Sequence, residues 1–352
     1  MFNAFLTPTP PTDATPIPAS GSWPKAEHHW SLHELRALAA AGFSGRPLLV
    51  KGEPGVGKSQ LARAAAALLR WRFEYEVITP RLEPQDLMWR FDAVRRLADA
   101  GVKRAAADGT QRSGLLDNDK AYFAPGVLWR ALDPQSAASL QPSKAGQPVL
   151  DERPCVLLLD EIDKADSDLP NSLLEVLGNR SFTTPWGEQI PSLKTAAERG
   201  LLIVITSNDE RELPLAFLRR CVVLDLEVPD EKTNPEGFVE WLVERGAPQF
   251  PQLTEALLRE AAVMVRADRK DSPRGQGARP GLAEYLDLLR ALKEISATSE
   301  PGATEKATRG DGAAIAAIAE LQTRWLAELR PYVLRKQGRQ QAVRPGQEAK
   351  AD

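Results

Sequence analysis

Cysteine is nearly absent: 352 residues hold only Cys155 and Cys221, each inside an apolar run. Cysteines so placed read as buried strand residues, and nothing in them calls for a disulfide framework or an oxidising compartment. Histidine is as scarce. His28, His29 and His33 crowd one short stretch, show no metal-ligand spacing and read as surface or N-flank residues. No run of about 18 apolar residues occurs, which argues against a membrane-spanning helix. The first residues lack a basic stretch followed by an apolar one, so they do not read as a secretory leader, and a cytoplasmic location is expected. Neither sign of charge dominates. Lys and Arg number 45 against 48 Asp and Glu, for a net charge of −3, and no basic excess points to nucleic acid as the main partner. No internal repeat is visible.

What is present alternates between short apolar strands and helical patterns. Residues 1–25 are rich in Pro and Thr and read as a flexible tail. Ser31 to Ala41 has helical spacing, with Leu32, Leu35 and Leu38 on one face. Pro47 to Val50, Phe73 to Ile78, Val156 to Leu159, Leu201 to Thr206 and Val222 to Leu226 read as buried strands. The Ala-rich stretch from Leu61 to Arg70 reads as a helix. Such an order predicts a parallel sheet covered on both faces. Residues 80–126 are mostly helical in pattern, with interruptions, and 133–152 look like a surface loop. After Pro229 only helical patterns remain. They predict a small helical domain over 230–298, a linker over 299–312, a C-terminal helix over 313–336 and a polar tail over 337–352.

Gly52-Glu53-Pro54-Gly55-Val56-Gly57-Lys58-Ser59 satisfies G-x-x-x-x-G-K-S/T between a strand and a helix, with Gln60 next on that helix. Glycines let the backbone curl so that its N–H groups face a phosphate, and the helix N-terminus adds positive potential. Lys58 reaches the outer phosphates and the Ser59 hydroxyl ligates Mg²⁺. Asp160 and Glu161 close a buried strand, at the sheet edge where ligands bind. Asp160 suits the Mg²⁺ shell, and Glu161 suits orienting and deprotonating an attacking water. Asn208 ends another strand, where its amide can reach that water or simply cap a turn. Arg219 and Arg220 close a short helix, placed either to reach a phosphate on a neighbouring subunit or to sit at a solvated helix end.

Together these segments resemble the AAA+ ATPases and, within them, the MoxR-like subgroup. The match rests on the Gly52–Ser59 loop, Leu159-Asp160-Glu161-Ile162-Asp163-Lys164-Ala165-Asp166, the Asn171-Ser172-Leu173-Leu174 helix, Thr206-Ser207-Asn208 and Phe217-Leu218-Arg219-Arg220-Cys221. The resemblance implies an α/β fold, the P-loop NTPase parallel sheet of an AAA+ core over 26–229, with a small C-terminal helical lid. It implies ATP and Mg²⁺ as cofactors, with Lys58 and Ser59 in Walker A and Asp160 and Glu161 in Walker B. Asn208 becomes sensor 1 and Arg220 the arginine finger, with Arg219 next. It implies an insert within the second helix, supplied by residues 80–126, and a hairpin over Phe182 to Leu193 turning near Trp186-Gly187. Both line the central opening of a ring in that family. Arg279, just before Pro280, is the lid arginine offered as sensor 2, although it falls about one turn early, and Arg274 lies further back. The resemblance further implies a homo-oligomer, a hexameric ring, and a protein partner carrying a von Willebrand factor A domain. In that picture Met88, Trp89, Phe91, Tyr122 and Phe123 either grip the partner or pack inside the insert. A nucleotide-operated switch and a DNA-remodelling motor are the competing readings. The chain has no N-K-x-D segment for guanine and no L-S-G-G-Q of an ABC ATPase.

Overall fold

The computed structural model describes residues 2–11, 13–21, 23–105, 119–140, 151–166, 168–191, 200–271, 279–299 and 312–334. The expectations placed on residues 106–118 of the insert, 141–150 of the surface loop, 192–193 of the hairpin, Arg274, most of the 299–312 linker and the 337–352 tail lie outside these. The chain divides into two compact units: Met1–Glu53 with Lys58–Glu227, and Val228–Asp352 with Pro54–Gly57.

Among its described residues the first unit carries eleven strands: β1 (Thr15–Ile17), β2 (Ala26–His28), β3 (Leu48–Lys51), β4 (Arg72–Val77), β5 (Trp89–Phe91), β6 (Phe123–Pro125), β7 (Cys155–Asp160), β8 (Phe182–Thr183), β9 (Gln189–Ile190), β10 (Leu201–Ser207) and β11 (Val222–Asp225). Its helices are α1 (Leu32–Ser44), α2 (Lys58–Leu69), α3 (Pro84–Met88), α4 (Ala93–Ala105), α5 (Val127–Leu132), α6 (Pro134–Leu140), α7 (Asp168–Asn179) and α8 (Leu215–Leu218). Five strands form one parallel sheet in the order β11-β3-β10-β7-β4. Every residue of β7 and β10 is buried, as expected of central strands covered on both faces. Successive side chains point to opposite faces. Leu157, Leu159, Ile203 and Ile205 therefore join a core with α5 and α7, while Val156, Leu158, Leu202 and Val204 join another with α1 and α2. Ser31 and Glu34 form a capping box that starts α1, and Gly45, at φ 70°, ends it.

The N-terminal segment departs from its expected form as a flexible tail. β1 and β2 pair antiparallel, and Phe2, Phe5 and Ile17 are buried in the core beside α1 and α2. The Phe2 ring lies 5.3 Å from that of Trp71. It also sits so close to Gly42 that a Cβ there would meet it at 2.6 Å. Proline and threonine set the composition, but a few aromatic anchors decide the packing. One anchor draws in His28, which is 9% exposed, lies edge-on to Trp30 and comes within 3.7 Å of Glu34. Of the two expectations for His28, surface or N-flank, its burial just ahead of α1 leaves the second.

The 80–126 region is likewise less helical than its pattern suggested. The aromatic segments Trp89–Phe91 and Phe123–Pro125 pair as antiparallel strands on either side of α4, as β-prone residues can against a half-buried surface. β8 and β9 form a second short ladder, whose turn places Gly187 at φ 85°.

The regular elements among the second unit's described residues are helices: α9 (Pro235–Gly246), α10 (Glu255–Asp271), α11 (Leu282–Ser299) and α12 (Gly312–Val333). Phe238, Leu258, Tyr285 and Leu289 are buried there. The Arg330 guanidinium donates two 2.8 Å bonds to the buried Asp268, which joins α12 to α10.

Phe5 is 1% exposed. Phe5→Ala should lower unfolding stability by about 3 kcal/mol or more, the usual scale for emptying a core aromatic site. Chemical denaturation checks this, and an unchanged midpoint would mean that the segment is a tail after all.

Candidate active site

Beyond β3 the chain turns through Gly52, Gly55 and Gly57, at φ values of 151°, 79° and 108°. Side-chain-bearing residues rarely adopt this region. A loop so curled offers successive N–H groups to an anion, and α2 begins immediately after it. Lys58 is 6% exposed, and its Nζ donates to the carbonyls of Gly52 at 2.7 Å and Glu53 at 2.8 Å. Burial pushes the ammonium below its ordinary value, while the carboxylates of Asp160, Asp163, Glu161 and Asp209 oppose that shift. Pro54 and Val56 complete the loop. Gln60 reaches away from it, donating to the Glu27 carbonyl of β2 at 2.9 Å.

The sheet brings the remaining groups together. In the parallel register Ile205 lies opposite Leu159 and Thr206 opposite Val50, so the carboxyl ends of β3, β10 and β7 stand side by side. Ser59 Oγ lies 2.8 and 2.9 Å from the two oxygens of Asp160, to which it donates. Thr206 Oγ1 donates to Asp160 Oδ1 at 2.5 Å and accepts the Glu161 N–H at 2.8 Å. Glu161 has φ 61°, a left-handed conformation that costs a side-chain-bearing residue about 1 kcal/mol or more and persists only where neighbours impose it. Its Oε2 accepts from Lys164 Nζ at 2.7 Å, and that carboxylate raises the Lys164 ammonium above its ordinary value.

Asn208 follows β10. Its backbone N–H donates to Asp163 Oδ2 at 3.1 Å, and so does that of Glu210. The buried Asp163 thus anchors the turn that carries Asn208. Arg219 and Arg220 lie just beyond α8 and are exposed. Arg220 Nη1 donates to the Ala216 carbonyl at 3.2 Å. Arg279 belongs to the second unit, where it pairs with Glu231, a carboxylate it shares with Arg269 at 3.2 Å.

Three contributors were not foreseen as functional: Thr206, Asp163 and Lys164. Asp163 and Lys164 stood inside a motif, but no role attached to them. A hydroxyl closing an otherwise apolar strand was the signal for Thr206. In the insert, Trp89 and Tyr122 face inward, in line with the expectation that they pack inside it rather than grip a partner. Trp89 packs 5.6 Å from Phe182, and Tyr122, 3% exposed, donates to Asp99 at 3.1 Å. Among the described residues of the insert, outward apolar side chains include Phe91, Val94 and Leu97, at 38%, 79% and 72% exposure.

The residues fit a magnesium nucleotide. A hydroxyl and one carboxylate stand beside a phosphate loop, and Mg²⁺ commonly takes few protein ligands, leaving phosphates and water to fill its shell. Among the described residues no cluster of three or more His, Cys, Asp or Glu could hold a metal without such help.

Residues 47–221 match the family model of the AAA domain, dynein-related subfamily. That segment contains the glycine loop, Asp160, Glu161, Asn208 and both Arg219 and Arg220. A Lon protease from Mycolicibacterium smegmatis is 25% identical over 320 residues, 79% of this chain and 35% of that protein. The Thermotoga maritima RuvB Holliday junction branch migration motor superposes with a TM-score of 0.38 at 15% identity, covering 74% of this chain and 60% of that one. The chain therefore spans about a third of the length of the Lon relative and less than two thirds of RuvB. Among the described residues no helix is long and apolar enough to cross a membrane.

Thr206→Val keeps the volume of the side chain but removes the bonds to Asp160 and the Glu161 amide. It should destabilise the chain by about 1–3 kcal/mol, the scale for leaving buried polar groups unpaired, whereas Thr206→Ser should recover most of the loss. Urea unfolding of both variants checks this; equal stability of the valine and serine forms would contradict the bridging role.

Proposed function

We propose that the chain is an Mg²⁺-dependent ATPase of MoxR-like character, acting as a ring-forming motor that remodels or activates a protein partner. The observation that carries the chemistry is the Ser59–Asp160–Thr206 cluster with Glu161 beside it, one loop away from Lys58. Mg²⁺ supplies charge neutralisation at the outer phosphates when bound. Lys58 binds phosphate oxygens as a point charge, and the loop N–H groups orient them. Ser59 and Asp160 hold the metal. The Glu161 carboxylate takes the proton of the attacking water, and its contact with Lys164 fixes the orientation of one oxygen. Asn208 positions that water. Arg220, or its neighbour Arg219, reaches from an adjacent subunit to the charge that develops on the transferred phosphoryl group. Their exposure at the end of α8 supports a role across a boundary.

Ring assembly, with six subunits as its expected number, and a von Willebrand factor A partner extend this reading. The exposed Val94 and Leu97 of α4 offer apolar contact for such a partner in place of the inward Trp89 and Tyr122. A cytoplasmic location suits the two buried thiols, whose burial raises Cys155 to about 12 and Cys221 to about 11.

Glu161→Gln should retain ATP binding while turnover falls roughly 10²-fold or more, the scale of losing a general base. Calorimetry and phosphate release measure the two, and near-normal turnover would remove Glu161 from the mechanism. For assembly, Lys58→Ala and Arg220→Ala subunits should each be inactive alone yet regain part of the activity when mixed, because some boundaries then pair an intact loop with an intact arginine. Absence of any recovery in mixed oligomers would count against Arg220 acting across the boundary.

A further inference from the structure

A cavity of about 660 Å³ opens in the first unit, between the N-terminal segment, α2, β4 and α6. Its β4 end lies away from the nucleotide chemistry, whereas Arg63 follows Ser59 by about one turn of α2. Arg72, one of the residues lining this cavity, pairs in register with Cys155 at the amino end of β7, whereas Asp160 pairs with Val77 at the carboxyl end. Five residues of strand correspond to about 16 Å. The volume falls in the range that encloses a small organic molecule.

The lining combines an apolar body with excess positive charge. Ile17 and Pro18 from the N-terminal segment, Ala66 and Ala67 from α2, and Trp71 and Phe73 supply the apolar part. Four arginines line the space, Arg63, Arg72, Arg130 and Arg153, against two carboxylates, Glu74 and Asp151. Glu74 is shared, with Arg130 at 3.0 Å and Arg72 at 3.5 Å, and Asp151 is taken by Arg153 at 2.7 Å. Arg63 is different. It is 7% exposed; its Nη2 donates to the carbonyls of Pro18 and Pro24 at 2.8 and 3.1 Å, and its guanidinium lies 5.2 Å over the Trp23 ring. Among the described residues it forms no ion pair with a carboxylate. Burial pushes its value below the ordinary one, the sign of a cation without a compensating anion. A buried guanidinium beside an apolar cavity favours a ligand that brings its own negative charge, because a charge-assisted bond there is formed away from water.

We propose that this cavity binds a small organic anion: an aromatic or branched apolar body bearing one carboxylate, sulfonate or phosphate group, with the body against Trp71 and Phe73 and the charged end toward Arg63. The site does not depend on the ATPase reading, since none of its residues belongs to the nucleotide machinery.

The full chain is titrated with 8-anilinonaphthalene-1-sulfonate, an aromatic sulfonate, and with N-phenyl-1-naphthylamine, the same body without the charge. Fluorescence and calorimetry follow binding. The sulfonate should saturate one site and bind at least about tenfold more tightly than the neutral probe, the scale of one charge-assisted bond. Ala138→Trp, placed at an exposed lining position of α6, should fill the cavity and abolish binding of both probes. Arg63→Met should weaken the sulfonate about tenfold while leaving the neutral probe unchanged. Should Arg63→Met fail to fold, Arg153→Gln at the exposed rim should still weaken the sulfonate selectively. Equal binding of the two probes, or sulfonate binding by Ala138→Trp equal to that of the unmodified chain, would overturn the proposal.

Discussion

The Asp160 carboxylate is the point on which the rest of the site depends. It is 9% exposed and receives two hydroxyls, one from Ser59 in the first turn of α2 and one from Thr206 near the end of β10. A carboxylate removed from water needs such donors, since an unpaired buried charge is costly. Meeting that requirement fixes three things together: the first turn of α2 against β7, the end of β10 against the end of β7, and the backbone of Glu161. The hydroxyl of Thr206 serves both Asp160 and the Glu161 amide, so the candidate metal ligand and the candidate base share one support.

The sheet order makes this convergence possible. With β3, β10 and β7 adjacent and parallel, every strand delivers its carboxyl end to the same edge. Residues far apart in sequence then arrive within hydrogen-bond distance without any long side chain having to reach. Covering helices exclude water from β7 and β10, which strengthens each polar contact made at their ends. Asp163 extends the arrangement by holding the turn that carries Asn208.

Much of this was legible in the sequence because the signals were local. The glycine loop, Lys58 and Ser59 lie within eight consecutive residues, and the apolar runs that became β7 and β10 needed no partner to be recognised. The parts that were not legible depend on distant contacts. The bridging role of Thr206 requires knowing that β10 lies beside β7. Phe2 and Phe5 sit among prolines and threonines, so composition suggested a tail, and only the surfaces of α1 and α2 give those rings a place. For Trp89 and Tyr122 the sequence left both gripping and packing open, because aromatic residues close in sequence carry no direction. The antiparallel pairing of β5 with β6 turned them inward and left Val94 and Leu97 outside. Arg279 could be placed near a helix start, yet its pairing with Glu231 involves a carboxylate well upstream.

The claim that Ser59 and Asp160 form a metal-nucleotide site is tested most directly by electron paramagnetic resonance with Mn²⁺ in place of Mg²⁺. Free Mn²⁺ is measured as ATP is added to the full chain and to an Asp160→Asn variant, whose folding is verified by circular dichroism. The account predicts that the unmodified chain with ATP sequesters Mn²⁺ beyond what ATP alone binds, and that Asp160→Asn loses this excess. Equal sequestration by the two proteins would contradict it.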